Sequence, residues 1–146
     1  MRGLLAEILS TEADITVVDM EAGLEHLSRS GGTLRYVDHL LVIVEPYAKA
    51  VETARRTLLL AAELGIPRVS IVASKVREPR EMDLLRAFCA ETGAELLAEI
   101  PYDDEIRVAD RDGLAPLDAA PRSAMVSAVS ALAEQLDSSW AKIASA

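Results

Sequence analysis

Two residues near the amino end of the sequence have the types and the spacing of a phosphate-handling site. The β-branched run Ile15–Val18 ends in Asp19, and Gly23 follows four positions later. A carboxylate fixed at the end of a strand can hold Mg²⁺ through water. Glycine has no side chain and lets the backbone approach a phosphate closely. The pattern predicts phosphate or nucleotide chemistry around Asp19 and Gly23.

A nucleoside triphosphate site also needs a phosphate loop, and no such loop occurs in these 146 residues. No GxxxxGK[ST] run is present, and the one double glycine, Gly31-Gly32, has no lysine after it. We interpret that pair as a flexible loop. Without a phosphate loop the sequence supplies no nest of backbone amides, no phosphate-binding lysine and no Ser or Thr for Mg²⁺.

Composition indicates an α/β protein with an aliphatic core. Hydrophobic residues make up 51% of the sequence, whereas aromatic residues make up only 3%. The formal net charge of −9 disfavours nucleic-acid binding, because phosphate backbones are repelled. No apolar run has transmembrane length and no secretory signal pattern is present, so we predict no membrane partner and a cytoplasmic location. Cys89 is the only cysteine, and its apolar helical setting predicts core packing.

Strand-like and helix-like segments alternate along the chain. Stop and start signals fall between them: Gly65 and Pro67 end one helix, and Pro79 opens the next, which ends at Gly93. The last helix is expected to turn Val126, Val129, Leu132, Ala133 and Leu136 inward. We predict strands over 15–19, 39–45, 69–74 and 95–100; helices over 2–10, 48–64, 79–92 and 122–136; loops over 20–36 and 112–121; and a helical turn over 104–110.

This alternation predicts a three-layer α/β fold, with a mainly parallel sheet of about four strands between flanking helices. We expect one domain over 1–146, with 137–146 as a tail. Ligands of such sheets bind at the carboxyl ends of the strands. The polar strand ends are therefore expected to line one edge: Asp19, Glu45, Ser74-Lys75 and Pro101–Asp103.

Three segments resemble the MinD/ParA class of deviant-Walker ATPases, and within it the ATPases that mature nickel carbon-monoxide dehydrogenase. They are VVDMEAGLEHLSR, VDHLLVIVEPYAKAVETARRTLLLAAELGI and IPYDDEIRVADRDGLAPLD. The resemblance extends from about residue 2 to residue 136 and corresponds to the carboxyl-terminal half of a family member. It implies a partial P-loop NTPase fold that lacks the phosphate-loop half.

The resemblance also implies roles for individual residues. Asp19 would hold the Mg²⁺ shell, and the backbone of Gly23 would meet the γ-phosphate. Ser74 and Lys75 stand where the family has Asn-Lys, whose asparagine reads the adenine edge, and Pro101 and Tyr102 would wall the base. The remaining implied residues form a switch segment that faces a partner: Glu21, Glu25, His26 and Arg29.

Two departures from the family bear on these roles. Ser74 offers one hydroxyl in place of the paired donor and acceptor of an amide. The CxC metal motif that precedes the DMEAG strand in the maturation ATPases is absent. Simpler structural roles also stay open: Asp19 as a turn cap, His26 as an ordinary surface histidine, and Lys75 as a solvated strand-end residue.

The functional hypothesis is a nucleotide-switch protein, or a fragment of one, that uses ATP or ADP with Mg²⁺ in metallocentre maturation. Because the phosphate loop is absent, we expect no useful ATP hydrolysis by the chain alone, and whether it is an enzyme stays open. The alternative is a non-catalytic interaction scaffold derived from the same fold.

The resemblance places the phosphate-loop strand between the strands at 15–19 and 39–45. Three arrangements follow: these strands pair directly, a second chain fills the gap, or the sequence belongs to a longer protein. The expected partner is a second copy of the chain or a separate chain that bears a phosphate loop.

Overall fold

The computed structural model describes residues 15–20 and 37–144, with side chains up to 138. Its strands are β1 (Leu40–Val44), β2 (Val69–Val76) and β3 (Glu95–Pro101). Its helices are α1 (Ala48–Glu63), α2 (Pro79–Thr92), α3 (Asp104–Arg111), α4 (Pro116–Ala119) and α5 (Ala124–Ala144). Strands and helices alternate as far as α3, which is the pattern of a sheet built from β-α-β units.

The three described strands pair in parallel in the order β1-β2-β3. Leu40 is opposite Val69, and Ser70 is opposite Glu95. The middle strand is apolar along most of its length because both of its faces are covered, as expected of a parallel sheet. The predicted α/β class and parallel pairing are therefore confirmed.

Helices cover both faces of the sheet. Helices α1 and α2 pack on one face through Ala54, Leu85 and Phe88, against Val44 and Ile71. Helix α5 packs on the other face, and its contact cluster comprises Val72, Leu97, Ile100 and Leu132, with Leu41, Ala98, Met125, Ala128 and Leu136 at its margin. No helix in the described part of the chain is long and apolar enough to cross a membrane.

Helix α2 begins and ends where the sequence predicts. Pro79 occupies its first turn, and Glu78 and Glu81 form a reciprocal capping box. Gly93 ends the helix with φ 71, a left-handed conformation that glycine adopts without a steric cost. Cys89 is buried on the inner face, as predicted, and burial raises the pKa of its thiol.

The predicted strand over 15–19 is wrong. Residues 15–20 have no regular secondary structure and pair with no described strand, and Val17 is 87% exposed. Extended backbone is stabilised by hydrogen bonds to a neighbouring strand, and β1 does not provide them here. Direct pairing of 15–19 with 39–45 is therefore not found, and the described sheet has three strands instead of about four.

Smaller corrections concern the carboxyl-terminal third. Val129 and Ala133 are exposed, because the inner stripe of α5 is centred on Ala128 and Leu132 and leaves these neighbours to one side. The predicted loop at 112–121 contains the short helix α4. The predicted helix over 2–10 lies outside the described residues.

A buried serine joins all three strands at the amino edge of the sheet. Ser70 is fully buried; its hydroxyl donates to Glu95 Oε2 at 2.8 Å and lies 2.8 Å from His39 Nε2. Because the serine proton goes to Glu95, we infer that His39 donates through Nε2. Arg68 donates to the same carboxylate at 3.1 Å. The bond from Ser70 is the first cause that lowers the pKa of Glu95.

Burial, with the nearby Arg68, lowers the pKa of His39 below its ordinary value of 6.5, against a smaller opposing effect of Glu95. As the pH falls through about 6.5, the unfolded chain therefore binds a proton before the folded chain does, and stability decreases. We expect the urea midpoint to fall between about pH 7.5 and 5.5, and His39→Gln to flatten that change. The pKa of Glu95 is also lowered, so Glu95 gains its proton at lower pH and does not contribute to the change in this pH range. Equal pH dependence in both proteins would contradict the assignment.

Candidate functional site

Polar residues from the three strands meet at the carboxyl edge of the sheet. Glu45 follows β1, Ser74 and Lys75 lie at the end of β2, and Tyr102 follows β3. Lys75 Nζ donates to Glu45 Oε1 at 2.9 Å, and this bond is the first cause that raises the pKa of the lysine. The lysine is thus an exposed residue that is paired with Glu45.

Lys75 has an unusual backbone conformation. Its φ of 57 makes it the one described non-glycine residue with positive φ. Ser74 pairs with Ile100 and Val76 pairs with Pro101, so Lys75 is the extra residue of a β-bulge. Such a position usually takes glycine, and bulges at strand ends redirect side chains. A lysine held there at a conformational cost makes this position a candidate for function.

Comparing Lys75→Gly with Lys75→Ala separates the strain of the backbone from the ion pair. Both variants lose the exposed pair with Glu45, which contributes little to stability. Only glycine relieves the left-handed conformation, so we expect the Gly variant to be about 1 kcal/mol more stable than the Ala variant. Urea denaturation of the two variants measures the difference. Equal stability would show that the conformation carries no strain.

Tyr102 contacts residues of β2 and α3 and the side chain of Arg77. Its backbone N–H donates to the Val76 carbonyl at 2.8 Å, and its hydroxyl donates to Asp104 at 3.2 Å. The guanidinium carbon of Arg77 lies 3.3 Å from the centre of the Tyr102 ring. Asp103 caps α3 and also accepts from the backbone of Met125 at 3.4 Å. The turn after β3 is therefore held between β2, α3 and α5.

Arg77 is the site residue that sequence reasoning missed. In the sequence it is one of several charged residues in KVREPRE, and no motif distinguishes it. Its contact with Tyr102 depends on the bulge at Lys75 and on the pairing of β2 with β3, which are tertiary features. Ser74 is 9% exposed, and its hydroxyl makes no hydrogen bond within the described part of the chain.

Comparisons with solved structures match this arrangement to one fold. MinD of Aquifex aeolicus aligns with a TM-score of 0.59 at 17% identity, over 72% of this chain and 46% of that one. A ParA-family ATPase of Chlorobium tepidum aligns with a TM-score of 0.58 at 22% identity, over 67% and 41%. These likenesses establish the fold alone.

Sequence comparison gives the relationship. The carbon monoxide dehydrogenase accessory protein CooC of Rhodospirillum rubrum is 35% identical over 121 residues, which cover 83% of this chain. The chain is a MinD/ParA-like relative of CooC. An ATP-binding protein of Methanocaldococcus jannaschii is 36% identical over 106 residues, which cover 73% of the chain. The predicted resemblance is thereby confirmed. No family model matches the chain.

The matched region is only part of these relatives. It spans 44% of CooC and 40% of the Methanocaldococcus jannaschii protein, so the chain covers less than half the length of either. The relationship therefore establishes a nucleotide-binding ATPase family, while the activity of a whole CooC-like protein is a matter for proposal.

Not all residues that the MinD/ParA resemblance singles out are brought to the carboxyl edge. Asp19 is exposed and makes no hydrogen bond or ion pair with another described residue. Its neighbour Met20 packs on the cluster of Ala61 and Ile66, which Leu40 and Val69 join from the first residues of β1 and β2. The structure therefore does not place Asp19 beside Lys75. The remaining switch residues lie outside the described residues: Glu21, Gly23, Glu25, His26 and Arg29.

Proposed function

We propose that this chain holds the base of a nucleotide in a CooC-like ATPase that acts in metallocentre maturation. The phosphate loop would come from outside these 146 residues, either from another part of the same protein or from a separate chain. The observation that carries the proposal is the carboxyl edge of the sheet, where Arg77 contacts Tyr102 and Lys75 pairs with Glu45, in a chain related to ATP-binding proteins. CooC is named as an accessory protein of carbon monoxide dehydrogenase, which suggests the process.

The chemistry of the cluster suits a base better than a triphosphate. Tyr102 and Arg77 offer a flat surface, and Pro101 is half-buried beside them. Lys75 is neutralised by Glu45, so it supplies little free charge for phosphates. No run of backbone amides resembling a phosphate loop occurs in the sequence. Binding of a triphosphate with useful affinity therefore needs groups that these residues do not contain.

Magnesium is implied by the resemblance, but the described residues do not fit a magnesium site. Among them, no group of three or more His, Cys, Asp or Glu side chains is arranged to hold a metal ion. Asp19 alone provides one carboxylate, which is too few ligands for a stable site. We therefore derive no step of the chemistry through a metal held by this chain.

Calorimetric titration with MgATP tests the proposal. The chain alone is expected to show no heat of binding up to about 100 μM nucleotide. We also expect a fusion of the chain to the unmatched part of a relative, where the resemblance places the phosphate loop, to bind MgATP. Its dissociation constant is expected in the low micromolar range. The matched control is the same fusion with the phosphate-loop lysine replaced by alanine. Micromolar binding by the chain alone, or none by a folded fusion, would overturn the proposal.

The partner surface that we propose is the outer edge and one face of β1. In the described part of the chain, β1 has a neighbour on one side only. Leu41 packs at the margin of the α5 cluster, whereas Ile43, two positions further on the same face, is 58% exposed. Open apolar strand edges are rarely left uncovered. A phosphate-loop-bearing segment or a second copy of the chain would cover this surface.

Substitution of Ile43 tests this surface. Ile43→Lys is expected to weaken self-association, or assembly with the phosphate-loop part, by about tenfold or more, because a charge would be buried. Leu59→Lys is the matched control, since Leu59 is 64% exposed on α1. Sedimentation velocity over a concentration series measures the association of both variants. If the two variants associate as the unsubstituted chain does, the interface lies elsewhere.

A further inference from the structure

Arg77 lies against the ring of Tyr102. The guanidinium carbon is 3.3 Å from the ring centre, and a hydrogen bond holds the backbone N–H of each residue. The N–H of Arg77 donates to Glu81 Oε2 at 2.6 Å, within the capping interactions at the start of α2. The N–H of Tyr102 donates to Val76 at 2.8 Å. A planar cation held over an aromatic ring presents a second flat face to solvent.

Arg77 also differs from most of the described arginines in its charge pairing. Within the described part of the chain it has no carboxylate partner, and it is exposed. In a chain of net charge −9, most of the others are paired. Those with carboxylate partners are Arg55, Arg56, Arg68, Arg86, Arg107 and Arg111. The guanidinium of Arg77 is thus available to a ligand, and its geometry suits an aromatic base.

The side chains at the end of β2, at the same edge of the sheet, discriminate poorly between purines. Lys75 is paired with Glu45, whereas the hydroxyl of Ser74, which is 9% exposed, makes no hydrogen bond to another described residue and is available to the edge of a base. A hydroxyl is both donor and acceptor. It can accept from the 6-amino group of adenine or donate to the 6-oxo group of guanine by rotation alone. An amide in this place would pair with adenine through two bonds and with guanine through fewer.

We propose that Arg77 stacked on Tyr102 is the platform for a purine base, and that Ser74 leaves the site open to ATP and GTP alike. This inference rests on the proposed function, because it assumes that the carboxyl edge receives a nucleotide. It goes further by naming the stacking residue and by predicting a substrate class broader than ATP. Stacking uses the π face that every base has, so it tolerates either purine.

Saturation-transfer difference NMR on the whole chain, titrated with ATP or GTP to about 10 mM, tests the proposal without a phosphate loop. We expect transfer to the H8 protons of both bases, with dissociation constants within about threefold of each other. Arg77→Ala is expected to weaken the binding of both nucleotides by about fivefold or more. Arg77→Lys keeps the charge but loses the planar face, and should behave like Arg77→Ala. Arg80 is an exposed arginine on α2. Arg80→Ala removes the same charge and should leave the binding of both nucleotides unchanged.

Ser74→Asn tests whether a side-chain amide at this position makes the site selective for adenine. We expect this variant to favour ATP over GTP by about tenfold, because an asparagine can pair with adenine through both its oxygen and its amide. Circular dichroism and thermal midpoints establish that each variant is folded before it is scored. Ser74→Asn tests recognition of the base edge at Ser74, and the Arg77 variants test stacking. Each of the two parts of the proposal therefore has its own measurement.

The outcomes separate this inference from the proposed function. A preference of the unsubstituted chain for ATP over GTP by more than about tenfold would overturn the relaxed selectivity. Full binding by Arg77→Ala would overturn the stacking role. Transfer to neither base at 10 mM would overturn the inference as a whole, whereas the proposed function is tested separately, by MgATP binding to the chain alone and to the folded fusion.

Discussion

Replacing Leu85 with alanine is expected to lower the free energy of unfolding by about 3–5 kcal/mol. Leu85 is fully buried in the layer where α2 packs on the sheet, in one cluster with Ile71, Met82 and Phe88. Truncation removes the transfer free energy of the side chain and leaves a cavity that rigid neighbours fill poorly. Since a domain has about 5–15 kcal/mol in total, this is a large share.

Leu84→Ala is the matched control, because Leu84 is the preceding residue of the same helix and is 43% exposed. The change in helix propensity is identical, and only burial differs. We expect a loss of about 1 kcal/mol or less in the control. Urea denaturation followed by circular dichroism gives both values. A similar loss in both variants would mean that α2 does not pack through this face.

The same helix explains why a core substitution should reach the carboxyl edge. Glu81, in the first turn of α2, accepts from the backbone of Arg77, which in turn lies on Tyr102. Loosening the contact of α2 with β2 therefore frees the platform at the edge as well. Leu85→Ala should weaken base binding together with stability, whereas Leu84→Ala should leave base binding unchanged and lower stability only slightly.

The parts of the fold that the sequence predicts well are those specified locally. Helix α2 has Pro79 at its start and Gly93 just after its end, and both signals act within a few residues. The strand at 69–76 is mostly apolar, because both of its faces are covered along most of its length. In such segments the local sequence and the tertiary environment favour the same structure.

The parts that the sequence did not predict depend on long-range pairing. ITVVD has the composition of a buried strand, yet a strand also needs a neighbour, and residues 15–19 have none among the described strands. The bulge at Lys75 follows from how β2 and β3 are aligned. The contact of Arg77 with Tyr102 joins residues from the ends of two different strands. Of the candidate site, Ser74, Lys75, Pro101 and Tyr102 were predicted from the resemblance, whereas Arg77 required the structure.

The polar cluster at the amino edge is expected to give the second large effect, through Ser70→Ala. The hydroxyl of Ser70 links His39 to Glu95 at 2.8 Å on each side and is fully buried. Its removal leaves the half-buried histidine donor without its acceptor and takes one donor from Glu95, which keeps its bond from Arg68. Loss of the two hydrogen bonds is expected to cost about 1–3 kcal/mol.

Ser138→Ala provides the comparison, because the exposed hydroxyl of Ser138 also makes one bond, to the Glu134 carbonyl at 2.8 Å. We expect that variant to change stability by about 0.5 kcal/mol or less. The protonation of the cluster gives a second readout. The bond from Ser70 is the first cause of the lowered pKa of Glu95, so the carboxylate should titrate at higher pH in Ser70→Ala. Carbon-detected NMR titration of Glu95 measures that shift. An unchanged titration, together with equal stability of the two variants, would mean that the serine does not join the three strands.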